Sequence, residues 1–456
     1  MDRVTPRRLA LALLVAACAG ATAGAGPASP VRPPRLAYTT STLPNGLRLI
    51  LLEDHSTPIV NVQVWYHVGS KDERPGRTGF AHLFEHMMFK GSKNVDPDHH
   101  TAMIAGVGGQ ANAYTTEDVT VFWETVPSQY LPLALWLEAD RLASLRIDKD
   151  TFSRERDVVK EERRMRIENA PYGRLPEIIY GAAFTTHPYK HATIGSMDDL
   201  QAASVDDVRE FFRTYYVPSN ATLAIAGDFE SAQASELVTK YLGRIPASDR
   251  PIPRDIPAEP PTRAPRRASV EDTWPLPVVA VAHHVTFDGH PDSYPLHVAS
   301  TLLSDGQSSR IYRALVYESG IALAALGVGN LVEHPNLFYA IAIVQPGHTP
   351  EEAETALAAE LDRLRNEPIA EAELARVKNQ IIRDYVLGRE TVQQKASALA
   401  HAAVIHGGDA ASADTEFDLL QQVTAADVQR VARTYFAPES RIVITVRPKV
   451  LTEGRQ

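Results

Sequence analysis

Two imidazoles and a carboxylate stand within five residues of one another in His82-Leu83-Phe84-Glu85-His86. On a helix, side chains at i, i+3 and i+4 share a face, so His82 and His86 can hold one metal ion with Glu85 beside them. These are the residue types of a hydrolytic zinc centre: imidazole nitrogens as ligands and a carboxylate to take a proton from water. The surroundings suit a helix, since Phe80, Ala81, Leu83, Phe84, Met87 and Met88 are apolar or small and Gly79 and Gly91 punctuate the ends.

Zinc in a catalytic site takes a third protein ligand and keeps one position open. The stretch from Phe152 to Arg166 supplies it. There Glu155 and Glu162 lie seven apart, two helical turns, and project from nearly one face. Glu161 points about 100° away from that face. The spacing makes Glu162 the ligand and Glu155 the carboxylate that orients a ligating imidazole. Zn2+ held this way lowers the pKa of water to about 7 and polarises a scissile carbonyl. Glu85 then accepts the proton and passes it to the leaving amine.

With these residues in place, the chain resembles the inverted-motif zinc peptidases of the pitrilysin (M16) family. The resemblance rests on His82-x-x-Glu85-His86, followed after 75 residues by Glu162 within Glu155-Arg-Asp-Val-Val-Lys-Glu-Glu162. Gly108-Gly109-Gln110-Ala111-Asn112-Ala113-Tyr114-Thr115 is similar to the family's glycine-rich turn and edge strand, and His187-Pro188-Tyr189 with Ile194-Gly195 resembles another shared segment. It spans about residues 38 to 448 and is nearest to the shorter bacterial members related to the mitochondrial processing peptidase. It implies a peptide or unfolded polypeptide as substrate, laid along Ala111, Asn112, Ala113 and Tyr114 as an added strand.

The resemblance also exposes a gap. Members that work alone carry an Arg and a Tyr seven apart in the second domain, as donors to the developing oxyanion. Here that segment reads Leu315-Val316-Tyr317-Glu318-Ser319-Gly320-Ile321-Ala322-Leu323, so Val316 and Leu323 occupy those positions. Neither side chain donates a hydrogen bond. The expectation is a division of labour, with a family-related partner subunit supplying the donors in a heterodimer. One alternative is a self-sufficient homodimer using Arg310 or Tyr317, although Ser308-Ser309-Arg310-Ile311-Tyr312 matches a separate segment that makes Arg310 structural. A non-catalytic scaffold homologue is the other, and the intact His82, Glu85, His86 and Glu162 speak against it.

The elements that must position these residues follow from pattern. With 456 residues, 44% hydrophobic and 22% charged, the chain has the composition of a globular protein and length for two domains. A net charge of −10 without a Lys/Arg block excludes a nucleic-acid surface. Residues 1–34 read as an export leader and tether: Arg3, Arg7 and Arg8 precede a short apolar run, and Val15-Ala16-Ala17-Cys18 resembles a lipoprotein processing box. The expected location is the periplasm, with lipid on Cys18 as the sole membrane anchor.

Asp207-Val208 through Pro218 recurs as Asp427-Val428 through Pro438, each copy a helix that stops before a strand. Two related domains follow, 35–245 with the metal site and 269–456 without one, joined by a Pro-rich linker over 246–268. Strands are expected at Ile59 to Val68, Val119 to Val126, Val278 to Phe287 and Leu337 to Val344. The first of these alternates, as a half-buried strand should. Helices are expected at Leu131 to Leu145, Phe152 to Ile167, Glu351 to Arg365 and Glu371 to Leu387. The fold class is α+β, each domain a largely antiparallel sheet packed with helices.

Overall fold

The computed structural model describes residues 32–449; the expected leader with Cys18, and residues 450–456, lie outside that range. From Leu36 to Lys449 the chain forms one compact unit around two sheets. Strands β1 (Thr39–Thr42), β2 (Arg48–Glu53), β3 (Ile59–Tyr66), β4 (Gln110–Thr115), β5 (Thr120–Pro127) and β6 (Ala221–Gly227) build the first, in the order β1-β2-β6-β3-β5-β4. Strands β7 (Arg266–Asp272), β8 (Val278–His284), β9 (Ala322–Gly329), β10 (Leu337–Val344) and β11 (Ile442–Pro448) build the second, in the order β7-β11-β8-β10-β9. Setting β1 aside, the two orders coincide. Even the single parallel pair recurs, β2 with β6 and β7 with β11. The fold is α+β, as expected.

The repeated segment explains the likeness locally. Helices Val205–Tyr215 and Ala425–Tyr435 both begin with a capping box, Ser204 with Asp207 and Thr424 with Asp427, and both deliver the chain into the strand that pairs in parallel, β6 or β11. Each lays an apolar face on the front of its own sheet, Val208 and Phe211 in one core and Val428 and Val431 in the other.

The backs of the sheets are covered reciprocally. Helix Val392–Ile405, from the second half, packs Leu399, Ala400 and Ala403 on Ile50, Trp65, Val121 and Ala224 of the first sheet. Helix Leu175–Ala183, from the first half, packs Ile179 and Ala183 on Ala280, Leu337 and Ile444 of the second. This corrects the reading of β3 as half-buried. Asn61 and Gln63 are 0% and 1% exposed. The Gln63 amide donates to Asn61 Oδ1, to the Gln393 carbonyl and to Ser397 Oγ, while Trp65 Nε1 donates to Gln63 Oε1. The polar side of β3 faces a helix, not water.

The Pro-rich stretch 246–265 has no helix or strand, and β7 starts at Arg266. It is pinned to the first half: the Glu259 carboxylate accepts from the amides of Thr185, Thr186 and His187, and Arg254 donates to the His67 carbonyl. Among the described residues no helix is long and apolar enough to cross a membrane.

Candidate metal centre

The motif helix, Phe80–Met87, owes its orientation to its apolar side. Phe80, Leu83, Phe84 and Met87 are buried, and Phe84 stacks on Phe212 and Tyr216. His82, Glu85 and His86 are left on the opposite face. The helix starts at Gly79, whose φ of +88° falls in the left-handed region. A Cβ at Gly79 would come within 2.6 Å of the Ile194 carbonyl oxygen, and one at Gly195 within 2.4 Å of the Thr78 carbonyl oxygen. That contact presses the 194–195 segment against the start of the helix and explains why two glycines meet there. From below, the buried Glu73 carboxylate accepts from the amides of Gly79 and Ala81, satisfying N–H groups the helix cannot.

The glutamate helix, Lys149–Arg163, is capped by the Asp148 carboxylate, which accepts from the Thr151 amide, and is anchored by buried Phe152 and Val159. It runs past the motif helix with Glu155 and Glu162 on the facing side. Glu162 Oε2 lies 3.3 Å from His82 Nε2 and 3.2 Å from His86 Nε2. One ligand atom from each of the three residues lies within 4.8 Å of the others. Glu155 stands 3.8 Å from His86 Nδ1 and is itself steadied by Lys90. Glu161 turns away to Arg164 and is 60% exposed. Glu85 Oε2 accepts from Thr115 Oγ1 at 2.7 Å and lies 3.3 Å from His82 Nδ1.

The charges agree with a site that favours a cation. Burial works against charge on His82, but hydrogen bonds to Glu162 and Glu85 overcome it and push its pKa up to about 9. The hydrogen bond from His82, against partial burial, holds the Glu162 carboxyl at about 2. Two imidazole nitrogens and one carboxylate oxygen converge with a second carboxylate behind one imidazole, a donor set that suits zinc.

One other convergence occurs among the described residues, at His100, Glu124 and Glu138. It is fully buried, and the Arg141 guanidinium pairs with both carboxylates, so a cation already sits there.

Two functional neighbours escaped the sequence reading. Arg166 bonds Glu162 Oε1 at 2.6 Å, and its i+4 spacing was the available signal. Thr115, at the end of β4, holds Glu85. Strand β4 is the outermost strand of the first sheet, with Asn112 and Tyr114 exposed and Ala111 and Ala113 turned toward the motif helix. In the second half, Arg310 is committed to Glu373 through two hydrogen bonds, of 2.9 and 2.7 Å, whereas Tyr317 and Leu323 are exposed.

Comparison with known proteins shows the family of the chain. Residues 48–196 match the family model "Insulinase (Peptidase family M16)" and residues 202–381 match "Peptidase M16 inactive domain". The zinc protease PqqE of Helicobacter pylori is 30% identical over 414 residues, covering 90% of this chain and 93% of that protein. The crystal structure of a protease from Helicobacter pylori superposes with a TM-score of 0.87 at 30% identity, over 91% of this chain and 100% of that one. A probable mitochondrial-processing peptidase subunit beta of Arabidopsis thaliana is 24% identical over 419 residues, 90% of this chain and 78% of that protein. The chain belongs to peptidase family M16.

Proposed function

We propose that this chain is the zinc-carrying subunit of an endopeptidase acting on peptides or unfolded polypeptides outside the cytoplasm. The observation that carries the reading is the meeting of His82, His86 and Glu162 from two separate helices. These three would hold the zinc, and Glu155 would fix the ring of His86. When bound, zinc supplies Lewis acidity, drawing electrons from a carbonyl and making water easier to deprotonate. Glu85 is the proton carrier: Thr115 holds one of its oxygens, leaving the other free to take a proton from water and return it to the leaving nitrogen. The free edge of β4, from Ala111 through Asn112, Ala113 and Tyr114, would receive the substrate backbone as an added strand, a mode that selects extended chains.

With Val316 and Leu323 unable to donate and Arg310 bound to Glu373, the oxyanion donors would come from a related partner subunit. The basic, apolar leader supports export, with Cys18 as a lipid attachment point. The test is Glu85→Gln in the presence of the partner subunit. It should retain one zinc per chain and lower kcat by about a thousandfold. Turnover at the wild-type rate would remove Glu85 from the role.

A further inference from the structure

We infer that Glu333, in the second half, is a positioning residue for Glu85, acting through the buried Lys71 and the turn that ends β4. This rests on the peptidase reading and makes the proton carrier depend on the half in which no metal-ligand set converges among the described residues. Thr115, which donates to Glu85 Oε2 at 2.7 Å, is the last residue of β4, so the turn over residues 116–119 sets where its hydroxyl lies. A second turn, Ser70–Asp72, presses on the first. The amides of Ser70 and Lys71 donate to the Thr116 and Glu117 carbonyls, and a Cβ at Gly69 would come within 2.3 Å of the Glu117 carbonyl oxygen. On its other side the same segment continues into Glu73, whose carboxylate accepts from the amides that open the motif helix. One short piece of chain thus holds both the helix that carries Glu85 and the strand end that carries its hydrogen-bond donor.

Lys71 fixes that piece, and the second half completes Lys71. Its side chain is 1% exposed, and a buried ammonium must find an acceptor for each of its three N–H groups. Three oxygens lie around it: Asp72 Oδ2 at 3.2 Å from its own turn, the Asp118 carbonyl at 3.2 Å from the turn after β4, and Glu333 Oε2 at 3.0 Å. Glu333 comes from the loop between β9 and β10 and is itself held by His67 Nε2, at 2.8 Å. The same loop grips Asp118 twice. The Glu333 amide donates to Asp118 Oδ2, while Tyr189, which accepts from the His334 amide, donates its hydroxyl to Asp118 Oδ1. Against burial, His67 and Lys71 keep the Glu333 carboxyl down at about 2, so it stays an acceptor throughout the neutral range. Removing that carboxylate strands one N–H of Lys71 away from water. To satisfy it the ammonium has to leave the Asp118 carbonyl, and the turn that aims Thr115 loosens with it.

Two readouts separate positioning from simple support. With the partner subunit present, Glu333→Ala should lower kcat roughly ten- to a hundredfold, the scale of a misplaced catalytic group, with KM and zinc affinity near wild type. In a Thr115→Val background, where the link to Glu85 is already cut, the same change should lower kcat by less than about twofold. Equal losses in both backgrounds would assign Glu333 a general structural role and overturn the inference. Glu333→Gln keeps an acceptor for Lys71 without the charge; it should recover part of the loss, and it replaces the alanine variant in this cycle if that variant does not fold. The second readout needs no turnover. In metal-free protein labelled with carboxyl carbon-13 glutamate, the resonance missing from Glu85→Gln reports Glu85, and it should move in Glu333→Ala the way it moves in Thr115→Val. A resonance that stays in place would also overturn the inference. If the wild-type chain with its partner cleaves nothing while the resonance moves, the peptidase reading fails and the link from Glu333 to Glu85 stands.

Discussion

The two halves share a strand order but line the space between helix and outer strand with different side chains. In the first half the motif helix lies between β3 and β4 in sequence and faces Ala111, Ala113 and Thr115, side chains that hold the outer strand at a distance. Thr115 reaches across that gap to Glu85. In the second half the helix Ser293–Ser304, between β8 and β9, faces Gly327 and Gly329 instead. A Cβ at Gly329 would come 2.9 Å from Ser300 Oγ, and one at Gly327 would overlap Ser304 Oγ. The helix touches its strand at these glycines, a cavity of about 440 Å3 lined by His297, Ser300, Ser304, Gly327 and Gly329 lies beside the contact, and no group of metal-ligating side chains converges there among the described residues. One scaffold thus gathers a candidate metal-ligand set in one half and none in the other, according to a few side chains on one strand and the helix above it.

The halves are nevertheless one folding unit in this account, because each covers the other's sheet. Ile179→Ala, at the strap over the second sheet, opens a cavity and should cost about 3 kcal/mol. Gln63→Ala, under the strap on the first, strands the Trp65 Nε1 donor and should cost a similar amount, about 2–3 kcal/mol. Scanning calorimetry of the metal-free protein should show a single transition lowered by either change. Two separated transitions would break the reciprocal picture.

A smaller effect sharpens the contrast between a half that gathers metal-ligating side chains and one that does not. Zinc must displace the proton on His82, whose pKa of about 9 keeps it charged at neutrality, while Glu162, at about 2, is already ionised. Raising the pH therefore favours zinc, by about tenfold per unit between pH 7 and 8.5, and the gain levels off above 9. Without metal the sign reverses for His82. Its stabilising contribution is complete below its unfolded pKa, about 6.5, and is lost as pH rises through 9. Chelator competition across this range measures the first trend, and an affinity independent of pH would contradict it.

Much of this was readable from sequence because local periodicity decided it. Helix Glu371–Leu387 and strand Leu337–Val344 fall at the expected residues, since their apolar spacing and flanking turns are unambiguous. The meeting of His82, His86 and Glu162 was also legible, as two helical spacings and one family resemblance pointed to it. What escaped depends on distant chain. Asn61 and Gln63 look solvent-facing until a helix more than 300 residues away covers them and supplies partners for Gln63, while Asn61 donates to Glu124 and Thr125 of β5. The charged start of β7 at Arg266 and Arg267 resembled linker, because its place in the sheet is set by pairing with β11, near the other end of the chain.

The claim on which the account turns is that residue 162, not its neighbour, completes the metal centre. Zinc content and affinity of the Glu162→Ala and Glu161→Ala proteins, purified alike and titrated against a chelator, address it without any substrate. Glu162→Ala should weaken zinc binding roughly a hundredfold or more, beyond the loss expected for a carboxylate acting only through a ligand, and Glu161→Ala should leave it unchanged. Full zinc in the first protein, with loss in the second, would contradict the site as drawn.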